Sequence, residues 1–407
     1  MSDLRSIANE QVLEIFQRAE PVVMDIQTAR DVVPGLADGL ILHAGPPIRW
    51  EAMCGPMQGA ILGALVYEGL APDLLEARRL ADSGAIRFEP CHDHAAVAPM
   101  AGIISPSMPV WVLEDRVNGT RGYSNLNEGP GKTLRYGANA AEVIANLHWM
   151  RDFLAPRLRE AVLRLDGLAI FPLVREALEM GDECHSRNHA ALPLLIQALL
   201  GGLLQTDFSS SEINTILRFL IGRDYFFLNL TMAACKAAWT AAERVPGASI
   251  VTAFSRNGVE FGVRVQGRWF AAPSPVVVGH YFPQFTAADA NCDIGDSAIT
   301  EASGLGGFAV GCAPAITGFI GGTPEQRMAA NMEMYAITVT ENRHWSLPVL
   351  NGRGTPTGVD IFKVIESGIC PYITTGIAHK NAGVGQIGAG QVRAPLAVFE
   401  QAAVSLF

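Results

Sequence analysis

Charge is what this chain has least of. Of its 407 residues, 17% are charged and 49% hydrophobic. A chain so poor in charge is compact, buries much of its surface and carries no long disordered tails. It also lacks the basic excess that nucleic acid demands, because 30 Lys and Arg face 40 Asp and Glu, for a net charge of −10. A small anionic substrate is still admissible, since a local basic pocket survives a negative total. No two cysteines stand at C-x-x-C spacing. The seven thiols are scattered at 54, 91, 184, 235, 292, 312 and 370. That odd count, with no export signal, predicts reduced thiols in the cytoplasm. The opening MSDLRSIANEQVLEIF has no apolar signal core and reads as an amphipathic helix. The most apolar run, residues 306–322, is short and broken by Gly and Pro, so it is expected to be a buried helix and not a membrane span. There is no fixed-period repeat.

Familiar catalytic signatures are missing as well. Neither G-x-S-x-G nor H-E-x-x-H occurs. The run GPGKT at 129–133 ends like a phosphate-binding loop, but Leu126 stands where that pattern requires Gly. GVGQIG at 383–388 fits G-x-G-x-x-G, yet only 19 residues follow it, too few for a dinucleotide-binding unit. Neither ATP nor NAD is supported, and no cofactor is expected.

What is present is an alternation of short apolar strands and helices. Strands are expected at 22–26, 39–43, 85–88 and 110–114, with a helix over 50–70. Helical spacing dominates 139–245, where Ser209 to Glu212 has the form of a capping box. Strands return at 249–254 and 259–265 around the turn residues Arg256-Asn257-Gly258. Thr323-Pro-Glu-Gln326 reads as another helix start. The expected architecture is α/β, with two mixed α/β domains (1–138 and 246–407) flanking a helical middle domain (139–245).

Six loops pair Gly or Pro with chemically capable side chains. They carry His43; Asn125, Asn127 and Lys132; Asp182, His185, Arg187 and Asn188; Asp293, Asp296 and Ser297; Arg353, Thr355 and Thr357; and His379 with Lys380. Taken singly, each is more simply a turn or a cap. Together they predict one cleft between the first and last domains, with an anion near a helix N-terminus. A seventh stretch, FEPCHDHAAVAPMAG at 88–102, crowds a thiol, two imidazoles and two carboxylates together. In an extended segment His92 and His94 would share a face. No second Cys or His pair stands at zinc spacing, so Cys91, His92 and His94 are expected to line a polar pocket, with no metal.

The runs ILHAGPPI, MCGPMQGA, NLNEGPGKTLRYG, FFLNLTMAACKAA, DIGDSAITEASGLGGFA, RGTPTGVD and TTGIAHKNAGVGQIGAG resemble the YlbE/YahG family of bacterial proteins, from about Glu10 to Phe399. The resemblance implies a cytosolic α/β protein with a helical insertion, encoded beside an FdrA-type protein, another small partner and a carbamate kinase. Some members are assigned as one subunit of an oxamate carbamoyltransferase in allantoin breakdown, which joins oxamate to carbamoyl phosphate. Members often carry three consecutive histidines where this chain has His92-Asp93-His94. Such a reaction must hold a phosphate, polarise a carbonyl and orient an amide. His92, His94, His379 and Lys380 are the expected catalytic groups, and the other loop residues named above the expected substrate contacts. A homo-oligomer with FdrA-like partners is expected. The S-T-R-T loop of ordinary carbamoyltransferases is absent. Two rival readings are a non-catalytic scaffold subunit and a metal-dependent hydrolase built on His92, His94, Asp293 and Asp296.

Overall fold

The computed structural model describes residues 2–407. Five small sheets and the helices around them form a mixed α/β structure. The largest sheet has five strands in the order Ala96–Val97, Arg121–Asn125, Pro109–Asp115, Pro21–Thr28, Leu168–Ala169. A second sheet centres on Leu40–His43, which pairs parallel with Arg87–Pro90 and antiparallel with Ile103–Ile104. The helices Gly55–Tyr67 and Leu74–Asp82 make the crossover that a parallel pair requires.

The last third holds three antiparallel sheets. One runs Arg268–Pro273, Glu260–Val265, Ala253–Asn257, Ile294–Gly295; another runs Val278–Tyr281, Gln386–Arg393, Tyr372–Ala378. Thr338–Leu347 and Arg353–Val359 form a ribbon.

Between these lies the run of helices. Ser209 and Thr323 each close a capping box, satisfying backbone donors that a helix start leaves free. The helix Tyr225–Thr240 is buried all round over residues 226–239, with Asn229 and Lys236 among its apolar side chains meeting polar partners. It lies on the five-stranded sheet so closely that a Cβ at Gly122 would fall 2.1 Å from the Ala233 carbonyl oxygen. Burying Phe226, Phe227 or Trp239 is worth about 1.5–3 kcal/mol each, which accounts for so intimate a contact.

Packing crosses the proposed divisions at 138/139 and 245/246. The main hydrophobic cluster runs from Ala8 to Ala402 and draws on all three segments, and Leu168–Ala169 lends a strand to the first sheet. Asn9 shows the same reach. Its amide donates to Ser249 Oγ at 2.9 Å and to Asp360 Oδ2 at 3.0 Å, and it accepts the Ser249 N–H at 2.8 Å.

Three local expectations need correction. The helix expected over 50–70 is split into a 3-10 turn, Trp50–Ala52, and the helix Gly55–Tyr67, because Pro56 lacks an N–H and fits only a first turn. The strand expected at 249–254 begins at Ala253, and Ile250 makes only an isolated bridge to Asp360. The apolar run 306–322 is not a buried helix. Its glycines and Pro314 divide it into three 3-10 turns and the short helix Thr317–Ile320. Among the described residues, no helix is long and apolar enough to cross a membrane.

Candidate functional site

The two glycine-rich runs that fail as nucleotide motifs meet each other in space. The Gln386 N–H donates to the Gly131 carbonyl at 3.3 Å, and a Cβ at Gly385 would come within 2.7 Å of that oxygen. Pro130 and Gln386 form one wall of a cavity of about 310 Å³. The loop before the helix Ala191–Leu203 supplies Ser186, Arg187 and His189; Tyr225 and Phe319 close the apolar side. Segments from the start, middle and end of the chain therefore converge here. Burial pushes the Tyr225 phenol up, keeping it neutral, and Arg135 stacks over its ring at 4.9 Å. The Arg187 Nε donates to the Gly181 carbonyl at 3.2 Å and stands 3.3 Å from Asp182 Oδ1. His189 Nδ1 lies 2.6 Å from Asp224 Oδ2.

Behind this loop lies a buried carboxylate cluster. His185 Nδ1 lies 2.8 and 2.9 Å from the two oxygens of Glu301. Thr300 Oγ1, Gly307 N–H and Thr374 N–H also donate to Glu301, which is fully buried. Glu183 accepts from the N–H groups of His185 and Ser186, and burial raises its carboxyl to about 7. Between these residues Cys184 is held at φ +60°, a strained angle for a side chain other than glycine.

Two further networks surround the short strand Ile294–Gly295. Arg256 meets Asp293 through Nε–Oδ2 at 2.8 Å and Nη2–Oδ1 at 3.1 Å, with Thr375 Oγ1 donating to Oδ1 at 2.9 Å. Asp296 accepts from Gly45 N–H and Ala98 N–H, each at 2.9 Å, and from Ser255 Oγ; burial raises it to about 6. His92 Nε2 stands 3.6 Å from Asp296, and burial next to Lys236 and Arg264 drives His92 strongly toward the neutral form.

Comparison with known proteins gives the family. The family model described as oxamate carbamoyltransferase subunit AllG matches residues 86–297. Oxamate carbamoyltransferase subunit AllG of Escherichia coli K12 is 46% identical over 405 residues, covering 98% of this chain and 97% of that protein. The chain belongs to the AllG family. The uncharacterized YahG of the same organism is also 46% identical over 405 residues, covering 99% of this chain and 86% of YahG. A crystal structure of a conserved protein of unknown function from Enterococcus faecalis V583 superposes with a TM-score of 0.96 at 45% identity, covering 99% of this chain and 97% of that one.

Within this AllG-family fold the expected site residues fall into separate neighbourhoods. Arg187 lines the cavity, with Asp182, His185 and Asn188 on the same loop. Asp182 accepts from Ala190 and Ala191 N–H at 2.7 and 2.9 Å, so the protein's own carboxylate already occupies that helix start and an outside anion would have to displace it. Asn188 donates to the His185 carbonyl. Asn125 and Asn127 are tied to Asn229 in an amide network, and Asn125 also donates to the Ile103 carbonyl at 3.0 Å. Lys132 pairs with Glu142 at 3.0 Å on the surface. Arg353 pairs with Glu341 on the outer ribbon, Thr355 is sealed without a partner, and Thr357 accepts from Asn342. Ser297 is buried beside Asp296. His379 Nδ1 accepts the Asn381 N–H, while the exposed Lys380 donates to the Ala288 carbonyl at 2.6 Å.

The pairing of His92 with His94 is corrected. Cys91–His94 is a 3-10 turn and not an extended segment, so the two rings diverge. His94 bonds the Pro34 carbonyl and Glu89, whereas Cys91 and His92 are sealed inside a polar cluster and do not line an open pocket. Asp93, between them, pairs with Arg264 at 2.9 Å. His43 is also sealed, and burial lowers it to about 4. Among the described residues, no group of three or more His, Cys, Asp or Glu side chains is placed to hold a metal ion.

The sequence reasoning missed Glu183, Glu301, Arg256, Tyr225 and Gln386. Glu183 and Glu301 did lie inside runs singled out for their neighbours. A carboxylate in a stretch as apolar as ITEASGLGGFA was the available signal, because burying a charge without a partner is costly.

Proposed function

We propose that the chain is a subunit of a carbamoyltransferase complex and that it holds oxamate, or a related amide acid, in the 310 Å³ cavity. The observation that carries this reading is the match to AllG over nearly the whole of both chains. The site supports it chemically. Oxamate is small and planar, with a carboxylate at one end and an amide at the other. Arg187 offers a guanidinium suited to the carboxylate, and the ring of Tyr225 and the Phe319 side offer a flat apolar wall. Carbamoyl phosphate is the donor, supplied with FdrA-like and other co-encoded subunits in the cytoplasm. The transfer requires orientation and charge stabilisation, not redox chemistry.

The scaffold reading draws support from a specific observation: His94 and Lys380 spend their polar atoms on this chain's own structure, and His92 is sealed from solvent. The hydrolase reading does not, because His94 turns to Glu89 and Asp293 is neutralised by Arg256. One experiment separates transferase from scaffold. The chain is co-purified with the proteins encoded beside it, and phosphate release from carbamoyl phosphate is measured with and without oxamate. Losing one charge-assisted contact is worth about 1.5–3 kcal/mol, so Arg187→Ala should raise KM for oxamate about 10- to 150-fold. An active complex whose KM ignores this change removes the substrate from the cavity. A complex that keeps its kcat without this subunit makes the chain a scaffold.

A further inference from the structure

Among the described residues four buried histidines have an unpartnered ring nitrogen; one of them, His379, accepts the Asn381 N–H at Nδ1 and so keeps no lone pair on Nε2, and the other three differ in one decisive respect. On His92 both ring nitrogens, and on His43 Nε2, are sealed from solvent with nothing to bond. His185 Nε2 also has no partner in the protein, but it is not among the sealed atoms. Its other nitrogen is fixed by Glu301, whose remaining donors are two backbone N–H groups and Thr300 Oγ1. Glu301 takes these bonds as an acceptor and offers the ring oxygens on both sides, which places the imidazole proton on Nδ1. The lone pair is left on Nε2.

The backbone around His185 is held as firmly as its ring. The Glu183 carboxylate folds back onto the N–H groups of His185 and Ser186, and the Gly306 N–H caps the Glu183 carbonyl at 2.8 Å. A Cβ at Gly306 would strike Glu301 Oε1 at 2.3 Å, so the glycine is what lets that carboxylate reach the ring. The next two residues, Ser186 and Arg187, are walls of the 310 Å³ cavity. The charged and titratable groups around this site are Glu301 from the short helix Ile299–Ala302, Asp182, Glu183, Arg187 and His189 from the same loop, and Asp224 and Tyr225 across the cavity. None of these residues carries the pattern of a known catalytic motif in the sequence, since Glu301 and His185 are 116 positions apart.

We infer that His185 is the general base of the transfer, with Glu301 as its positioning residue. This rests on the carbamoyltransferase reading above. His185 Nε2 takes one proton from the acceptor amide nitrogen as that nitrogen forms a bond to the carbamoyl carbon. The bond from that carbon to the phosphate oxygen breaks, the phosphate leaves with the electron pair, and the proton passes from His185 to it. In the reverse direction His185 returns a proton to the amide nitrogen as it departs. General bases of this kind contribute about 10²- to 10⁴-fold.

The test has two arms. In the reconstituted complex, His185→Gln should lower kcat at least about 100-fold while KM for oxamate stays within about threefold, and the acidic limb of the pH profile of kcat/KM should disappear. Glu301→Gln should lower kcat and shift that limb, with the limb still present. In the second arm, nitrogen-15 NMR of histidine-labelled wild-type chain should show His185 protonated at Nδ1 and unprotonated at Nε2. This reads the tautomer without any activity and stands even if a variant does not fold. An active wild-type complex whose kcat and pH profile are unchanged by His185→Gln overturns the assignment, as does a wild-type ring protonated only at Nε2. A wild-type complex with no carbamoyl transfer at all overturns the parent reading instead, and the tautomer arm then tests the dyad separately.

Discussion

Removing the Asp293 carboxylate should cost more stability than removing the whole ion pair to which it belongs. Both Asp293 and Arg256 have fully buried side chains. Arg256 spends its donors on Asp293, on the Gly295 carbonyl at 2.6 Å and on Thr375 Oγ1 at 3.2 Å. Asp293→Ala leaves a guanidinium buried without its counter-charge, a loss of about 3–5 kcal/mol for pairs of this kind. Arg256→Met with Asp293→Leu removes both charges. The Gly295 carbonyl then loses its donor, at about 1–3 kcal/mol, but no charge is stranded. The double variant should therefore be the more stable of the two, by at least about 1 kcal/mol. Urea denaturation followed by tryptophan fluorescence measures both, with the singles Arg256→Met and Asp293→Leu completing the cycle. The reasoning fails if Asp293→Ala costs less than about 1 kcal/mol, or if the two single losses simply add. Either result would return Asp293 to the substrate-binding set in which the sequence first placed it.

Three other outcomes follow from the same structure. Glu183 has its carboxyl raised from 4.5 to about 7 by burial, so the folded state holds its proton more tightly than the unfolded chain. That stabilisation is complete below about pH 4.5 and is lost as pH rises to about 7; wild type should lose stability over this window relative to Glu183→Gln, and a pH-independent difference between the two melting curves would refute it. Gly45→Ala should cost about 3 kcal/mol or more, because φ is +98° and the new Cβ would lie 2.4 Å from Asn257 Cβ; a melting temperature like wild type would show that this contact relaxes freely. Lys380→Ala, on an exposed side chain bonded only to a carbonyl, should change unfolding free energy by no more than about 0.5 kcal/mol, and a larger loss by denaturant titration would mean that the loop depends on that bond.

Much of the fold was legible wherever local chemistry decides it. The strand expected at 110–114 is Pro109–Asp115, that at 22–26 is Pro21–Thr28, and both capping boxes form where the residue pattern puts them. These depend on neighbours a few positions apart. The candidate site depends on partners that are not. His185 needs Glu301, Asp296 needs Ser255 and the Gly45 N–H, and Arg256 needs Asp293 and Thr375. No periodicity encodes such pairings, so the sequence revealed which loops were rich in polar groups but not which groups faced each other. The His92-Asp93-His94 run shows the complementary failure. Its pattern was conspicuous, but one 3-10 turn in place of an extended strand sent the two rings in different directions.

Asn9 imposes an order on the birth of the molecule. Its amide is satisfied only by Ser249 and Asp360, the latter 351 positions downstream. A ribosome adds roughly 5–20 residues per second, so the first helix emerges about 20–70 s before its last partner exists. During that interval its apolar face can already dock, because Phe16 stacks on Trp239 and meets Phe171, both made well before Asp360. The first helix is therefore seated in two stages, its apolar side before its polar side. Truncating the C-terminal third would leave the Asn9 amide with Ser249 as its one remaining partner.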